Sequence, residues 1–201
     1  MLAYDLDPGV LITMNKTSGR AALLGVALTS LISGCGVVGS GSDGVALAEF
    51  TVSSPAFTDM KDIPARYGCA AYGGQGKILP LHWSGVPEAK AFAVVVDDPD
   101  AHGGTYIHWV LANLDGRTAD LVEGVVPDRG VQGRNSAGEA SYLAPCPPQG
   151  ERHRYRFTVY ALSSPLPEGE VSGLKDSLPA IAERTVARGR ITGYFGQQPE
   201  S

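Results

Sequence analysis

The sequence predicts a mainly β protein: an antiparallel two-sheet β-sandwich with one or two short helices. Three observations predict it. Gly 26 and Pro 14 take about a fifth of the 201 residues, an excess that supplies tight turns. Charged residues are only 18%, fewer than a solvated helical bundle carries. The apolar residues fall into short runs with strand patterning, with a single helical pattern near the C-terminus. Such strands bury one face each by stacking two sheets.

The first 44 residues do not read as fold. Ala21–Ile32 is an apolar run too short to span a bilayer. Lys16 and Arg20 precede it, and Ser33-Gly34 follow just before Cys35. A positive start, a short apolar core and small residues describe an export signal over residues 1–34. Asp5 and Asp7 do not suit such a start, which makes Met14 the expected true beginning. Ile32-Ser33-Gly34-Cys35 resembles a bacterial lipobox, with Cys35 as the lipidated residue. An uncleaved helix with a buried free cysteine is the other reading. Two or more acyl chains on Cys35 give a stable membrane anchor. Gly36–Gly44 (GVVGSGSDG) then forms a tether reaching roughly 15–18 Å.

Residues 45–201 read as one domain. Ala91–Val96 (AFAVVV), ended by Asp97-Asp98-Pro99, reads as a buried strand. In Tyr106–Leu114 alternation puts Tyr106, His108, Val110 and Ala112 on one face and Ile107, Trp109 and Leu111 on the other. Arg154–Leu162 alternates most clearly: Tyr155, Phe157, Val159 and Ala161 point one way, Arg154, Arg156 and Thr158 the other. His153 shares the parity of Tyr155. One helix is expected near the end, capped by Asp176 or Ser177, with Pro179 in its first turn. Leu178, Ile181, Ala182 and Thr185 share its buried side, and Gly189 closes it.

With net charge −5, no basic surface invites nucleic acid. The 43% hydrophobic and 18% charged content, with mean hydropathy near zero, excludes a disordered chain and a polytopic membrane protein. With Cys35 assigned to lipid, Cys69 and Cys146 remain. Outside the cytoplasm a disulfide between them is permitted, and two separate small buried residues are the alternative.

Polar chemistry concentrates in three places. Asp97-Asp98-Pro99-Asp100 is an acidic turn that could bind a metal, share a proton or only cap a turn. His108 lies mid-strand beside Trp109, and a lone inward histidine is more often a satisfied core residue than a ligand. Gly133-Arg134-Asn135 leads through Tyr142 and Pro145-Cys146-Pro147-Pro148 to His153-Arg154-Tyr155, with glycines and prolines dense enough to fix a rigid loop. No metal-helix, nucleophile-elbow or phosphate-loop motif is present.

The order of these elements, DPDA, then HWV, then GRN, PCPP and HRY, resembles the phosphatidylethanolamine-binding protein family, in its bacterial Raf-kinase-inhibitor-like branch. The resemblance covers roughly Phe50 to Tyr194. It implies an antiparallel sandwich with a small pocket at one end that accepts phosphate-like or other small anions. Matched to that pocket are Asp98, Asp100, Tyr106, His108, Pro147, Pro148, His153 and Tyr155. The histidines and Tyr155 can donate to an anion. Asp98, which would repel phosphate, is expected to orient a histidine and raise its pKa, so that binding strengthens below about pH 6.5. Three positions depart from the family pattern. His102 stands for a proline, Ala144 for a glycine, and Ile78-Leu79-Pro80-Leu81 for SPPL.

The leading expectation is a lipid-anchored extracytoplasmic protein binding a small anion or phospholipid headgroup, without cofactor or catalytic residue. A kinase or protease inhibitor-like regulator acting through its surface is the alternative. A metal-dependent hydrolase using His108, His153 and Asp98 is the third class.

Overall fold

A computed structural model describes residues 47–197. The segments expected to form the export signal and the tether, with Cys35, lie outside the described residues. Ten strands and two α-helices follow in order: β1 (Ala48–Glu49), β2 (Thr51–Ser53), β3 (Lys61–Asp62), β4 (Leu81–Ser84), β5 (Ala91–Asp98), β6 (Tyr106–Asp115), β7 (Asp120–Leu121), β8 (Val131–Gly133), β9 (Arg152–Leu162), α1 (Glu168–Val171), α2 (Leu174–Arg184) and β10 (Thr185–Gly196).

The strands form two sheets. The larger runs β1-β10-β9-β5-β6-β8, with β3 also on β10, and the smaller runs β2-β4-β7. The long pairings are antiparallel, while β1 and β3 add short parallel contacts at the β10 edge. β5 is buried along its whole length because it lies between β6 and β9, central in the larger sheet. That position explains an unbroken apolar run where an edge strand would alternate. Val52, Leu81, Trp83 and Leu121 of the smaller sheet pack with Phe92, Val94, Trp109, Phe157 and Val159 of the larger in one core. Trp83 meets Phe92 at 5.5 Å between ring centroids.

Two expectations need correction. The simple alternation of β6 fails because its register against β5 slips: Val96 pairs Trp109 but Asp97 pairs Ile107, leaving His108 without a counterpart. Such a bulge turns two successive residues to one side. His108 therefore lines the pocket at the end of the sandwich while Trp109 enters the core. A second slip surrounds Asn113, whose φ of 60° suits asparagine.

The helix begins and ends earlier than its sequence suggests. Gly173 is its cap, Pro179 lies in the interior and Ala182 is exposed, although Leu178 and Ile181 are buried as expected. Strand pairing ends it: Thr185 already opposes Leu162 of β9. Gly189 sits in β10, where a Cβ would stand 2.4 Å from the Phe50 carbonyl oxygen. Close backbone approach, not helix termination, is what this glycine permits.

Candidate functional site

Three elements converge at one end of the larger sheet. β5 ends in Asp97-Asp98 with its Asp-Pro turn, β6 begins with Tyr106 to His108, and β9 begins with His153 to Tyr155. The segment from Leu143 to Pro148 closes the side. Together they enclose a cavity of about 380 Å³.

Asp98 is the fixed point. Its side chain is buried, and Oδ1 accepts from the Asp100 amide at 2.8 Å. Its Oδ2 accepts from His153 Nδ1 at 2.7 Å. The other ring nitrogen of His153, Nε2, lies 2.9 Å from Glu151 Oε2. Burial is the largest single influence on His153 and opposes its charge, but the hydrogen bonds and charges of Glu151 and Asp98 outweigh it and raise its pKa. Set between two carboxylates, the ring in its charged form donates from both nitrogens.

His108 behaves in the opposite way. Burial holds its pKa below the usual histidine value. Its Nδ1 lies 3.0 Å from the Leu143 carbonyl oxygen, which can only accept. The neutral ring therefore carries its proton on Nδ1 and leaves Nε2 as an acceptor. Tyr106 and Tyr155 flank it edge-on, with centroids 5.1 and 5.2 Å away. Tyr155 is fully buried; burial, with the nearby Asp98 charge, pushes its phenol far up, so it stays neutral.

Cys69 and Cys146 are joined by a disulfide, Cα–Cα 5.4 Å, and both line the cavity. The bond ties the Pro147-Pro148 wall to the loop before β4. The Tyr72 hydroxyl reinforces the same join at the Pro147 and Pro148 carbonyls, 3.1 and 3.0 Å away.

Of the eight residues read from the sequence, seven line this cavity: Asp98, Tyr106, His108, Pro147, Pro148, His153 and Tyr155. Asp100 does not. Its carboxylate accepts from the Arg154 amide at 2.9 Å and from the Arg154 guanidinium, which holds its pKa below the usual range. The residue instead fastens the turn to β9. On the outer face Asp97 is paired with Arg156. Glu151, absent from the sequence reading, bridges His153 to His102, whose Nε2 lies 3.1 Å from the same oxygen. The departures at His102 and Ala144 both fall on the cavity lining. Ile78 and Leu79 are buried in the core.

Of the three residues in the hydrolase reading, Asp98 accepts from His153 Nδ1, and His108 Nδ1 faces the Leu143 carbonyl. Among the described residues no group of three His, Cys, Asp or Glu is placed to hold a metal ion. A larger groove of about 520 Å³ lies between the β4–β5 and β6–β7 connections, away from the β5–β6 turn. Its charges pair locally, Lys90 with Glu88 and Arg117 with Asp115.

Comparison with known proteins agrees with this architecture. Residues 53–196 match the family model "Phosphatidylethanolamine-binding protein". LppC of Mycobacterium tuberculosis, named as a candidate lipoprotein, is 34% identical over 205 residues, covering 91% of this chain and 98% of its own. Among solved structures, CT736 of Chlamydia trachomatis, described as a homologue of that family, superposes with a TM-score of 0.66 at 36% identity, covering 75% of this chain and 98% of its own. YbcL of E. coli gives a TM-score of 0.68 at 31% identity, over 74% and 99%. With this sandwich and a family match across nearly the whole described chain, the protein belongs to the phosphatidylethanolamine-binding protein family, in its bacterial branch.

Proposed function

We propose that the protein binds a small phosphate-type oxyanion, free or as a phospholipid headgroup, in the cavity between β5, β6 and β9. The observation that carries this reading is the buried Asp98–His153 pair. At the end of a cavity of about 380 Å³ the charged form of His153 is favoured by Glu151 and by the Asp98 carboxylate behind it. Tyr106 adds a hydroxyl donor, and neutral His108 adds an acceptor suited to a ligand proton. Leu143, Ala144, Pro147 and Pro148 supply apolar walls that exclude water and strengthen those contacts. Calorimetric titration with phosphate and phosphoethanolamine tests it. Saturable binding lost in His153→Ala is the expected result, and no binding of either ligand to the parent protein refutes it.

The same reading places the domain outside the cytoplasm, anchored through Cys35. The signal-like run before that cysteine and the lipoprotein name of a relative alike over most of its length support it. Detergent phase partitioning of the parent protein and Cys35→Ser checks it: the variant is expected in the aqueous phase, and equal partitioning of both counts against the anchor.

A further inference from the structure

The rim of the pocket already holds a carboxylate where the proposed ligand would seek its donors. Glu151 Oε2 accepts from His153 Nε2 at 2.9 Å and stands 3.1 Å from His102 Nε2. Both imidazoles line the cavity. One carboxylate oxygen facing two imidazole donors is the arrangement that an oxygen of an incoming oxyanion would take.

Glu151 is not needed to orient His153. Asp98 does so from the other nitrogen, and Asp98 is itself pinned by the Asp100 amide. What Glu151 does is occupy the one donor that Asp98 leaves. Its hold on His102 is weak: its side chain is 35% exposed and that of His102 is 76% exposed, and ion pairs so open to water contribute little. Its contact with His153, whose side chain is 6% exposed, is the stronger of the two. Release needs only a side-chain rotation. The Glu151 backbone stays fixed, donating to the Pro148 carbonyl at 3.1 Å and accepting from the Gln197 amide at 3.0 Å.

We infer that Glu151 is an internal competitor for the His102–His153 donor pair, so that the pocket admits only an oxyanion able to displace this carboxylate. The inference rests on the small-anion reading above and deepens it. The charged and titratable groups around His153 are Asp98 from β5, Asp100 and His102 from the turn after β5, His108 from β6 and Glu151 just before β9. With Glu151 seated, two carboxylates face one imidazolium and repel an approaching anion. With Glu151 rotated out, Asp98 and His153 balance each other and two N–H donors are uncovered. A neutral ligand, or one with a single weak acceptor, gains too little from those donors to effect the exchange. The Glu151–His102 contact is thus a filter for charged phosphate-type groups.

Glu151→Gln tests this, since it keeps the shape and removes the charge. The full chain and the variant are titrated with inorganic phosphate and with glycerophosphoethanolamine, the soluble diester form of a lipid headgroup. The variant is expected to bind at least one of them about two- to fivefold more tightly at pH 5.5, where its lower His153 titration weighs least, the size of one partly exposed ion pair. Which ligand gains distinguishes a free phosphate from a headgroup as the source of the oxyanion. Thermal melting of the variant controls for folding. Ring resonances of His102 and His153 give a ligand-free readout: the variant should lower the pH at which His153 titrates and perturb His102 as well. Equal or weaker affinity in the variant, with the parent binding normally, overturns the competitor and leaves the anion reading standing. Absence of binding to both proteins overturns the two together.

Discussion

His153 holds more of the site's chemistry than any other residue, and its neighbours fix its charge. Burial alone would discharge it; Glu151 and Asp98 reverse that outcome. Its folded-state pKa therefore lies above the unfolded value of about 6.5. The charged ring contributes stability that is fully present below that unfolded value and lost as pH rises through the folded one. Anion binding uses the same proton. Phosphate affinity is accordingly expected to hold across pH 5 to about 6.5 and to decline only above it. Calorimetry at half-unit steps checks this, and a flat profile to pH 9 would remove His153 from the binding step. His108 cannot produce a limb above pH 6.5, because burial holds its pKa below the usual histidine value.

Strand elements were legible in the sequence where their patterning was undisturbed. Tyr155 and His153 share the pocket side of β9 as parity required, since no bulge interrupts that half of the strand. Glu151, two residues earlier, has the same parity and could have been read by the same rule. It was missed because Gly150 and the prolines before it marked the segment as loop. β6 shows the opposite failure. A period of two cannot register the unpaired His108, so the residue that reaches the pocket and the tryptophan that fills the core were assigned to opposite faces. β10 was not legible at all. Thr185–Gly196 carries Gly189, Gly193 and Gly196 among its twelve residues, a composition that weakens any strand signal. The reason is long-range: a Cβ at Gly193 would collide with Ile63 and Phe57, and one at Gly189 with Phe50. The disulfide is of the same kind, because residues 77 apart in sequence meet only through the fold.

On the scale of the whole molecule, the sandwich separates its stabilising core from its binding end. Phe92 lies six residues from Asp98 along β5, a rise of about 20 Å. It packs against Trp83 at 5.5 Å and Phe50 at 6.5 Å, joining the two sheets far from the cavity. Phe92→Ala should cost about 3–5 kcal/mol, from lost transfer energy and the void left behind. That is a large part of the roughly 5–15 kcal/mol by which such a domain is stable. The pocket's own supports are local: the Asp98 turn, the Arg154–Asp100 pair and the Cys69–Cys146 disulfide. None of them contacts Phe92 through an aromatic stack or an ion pair. The variant is therefore expected to melt well below the parent while its folded fraction binds phosphate with unchanged affinity. Denaturant titration and calorimetry on one preparation, at a temperature where the variant remains folded, measure both quantities. A matching loss of affinity would mean that the pocket is held open by the packing of the two sheets, and the local supports would then be insufficient to define it.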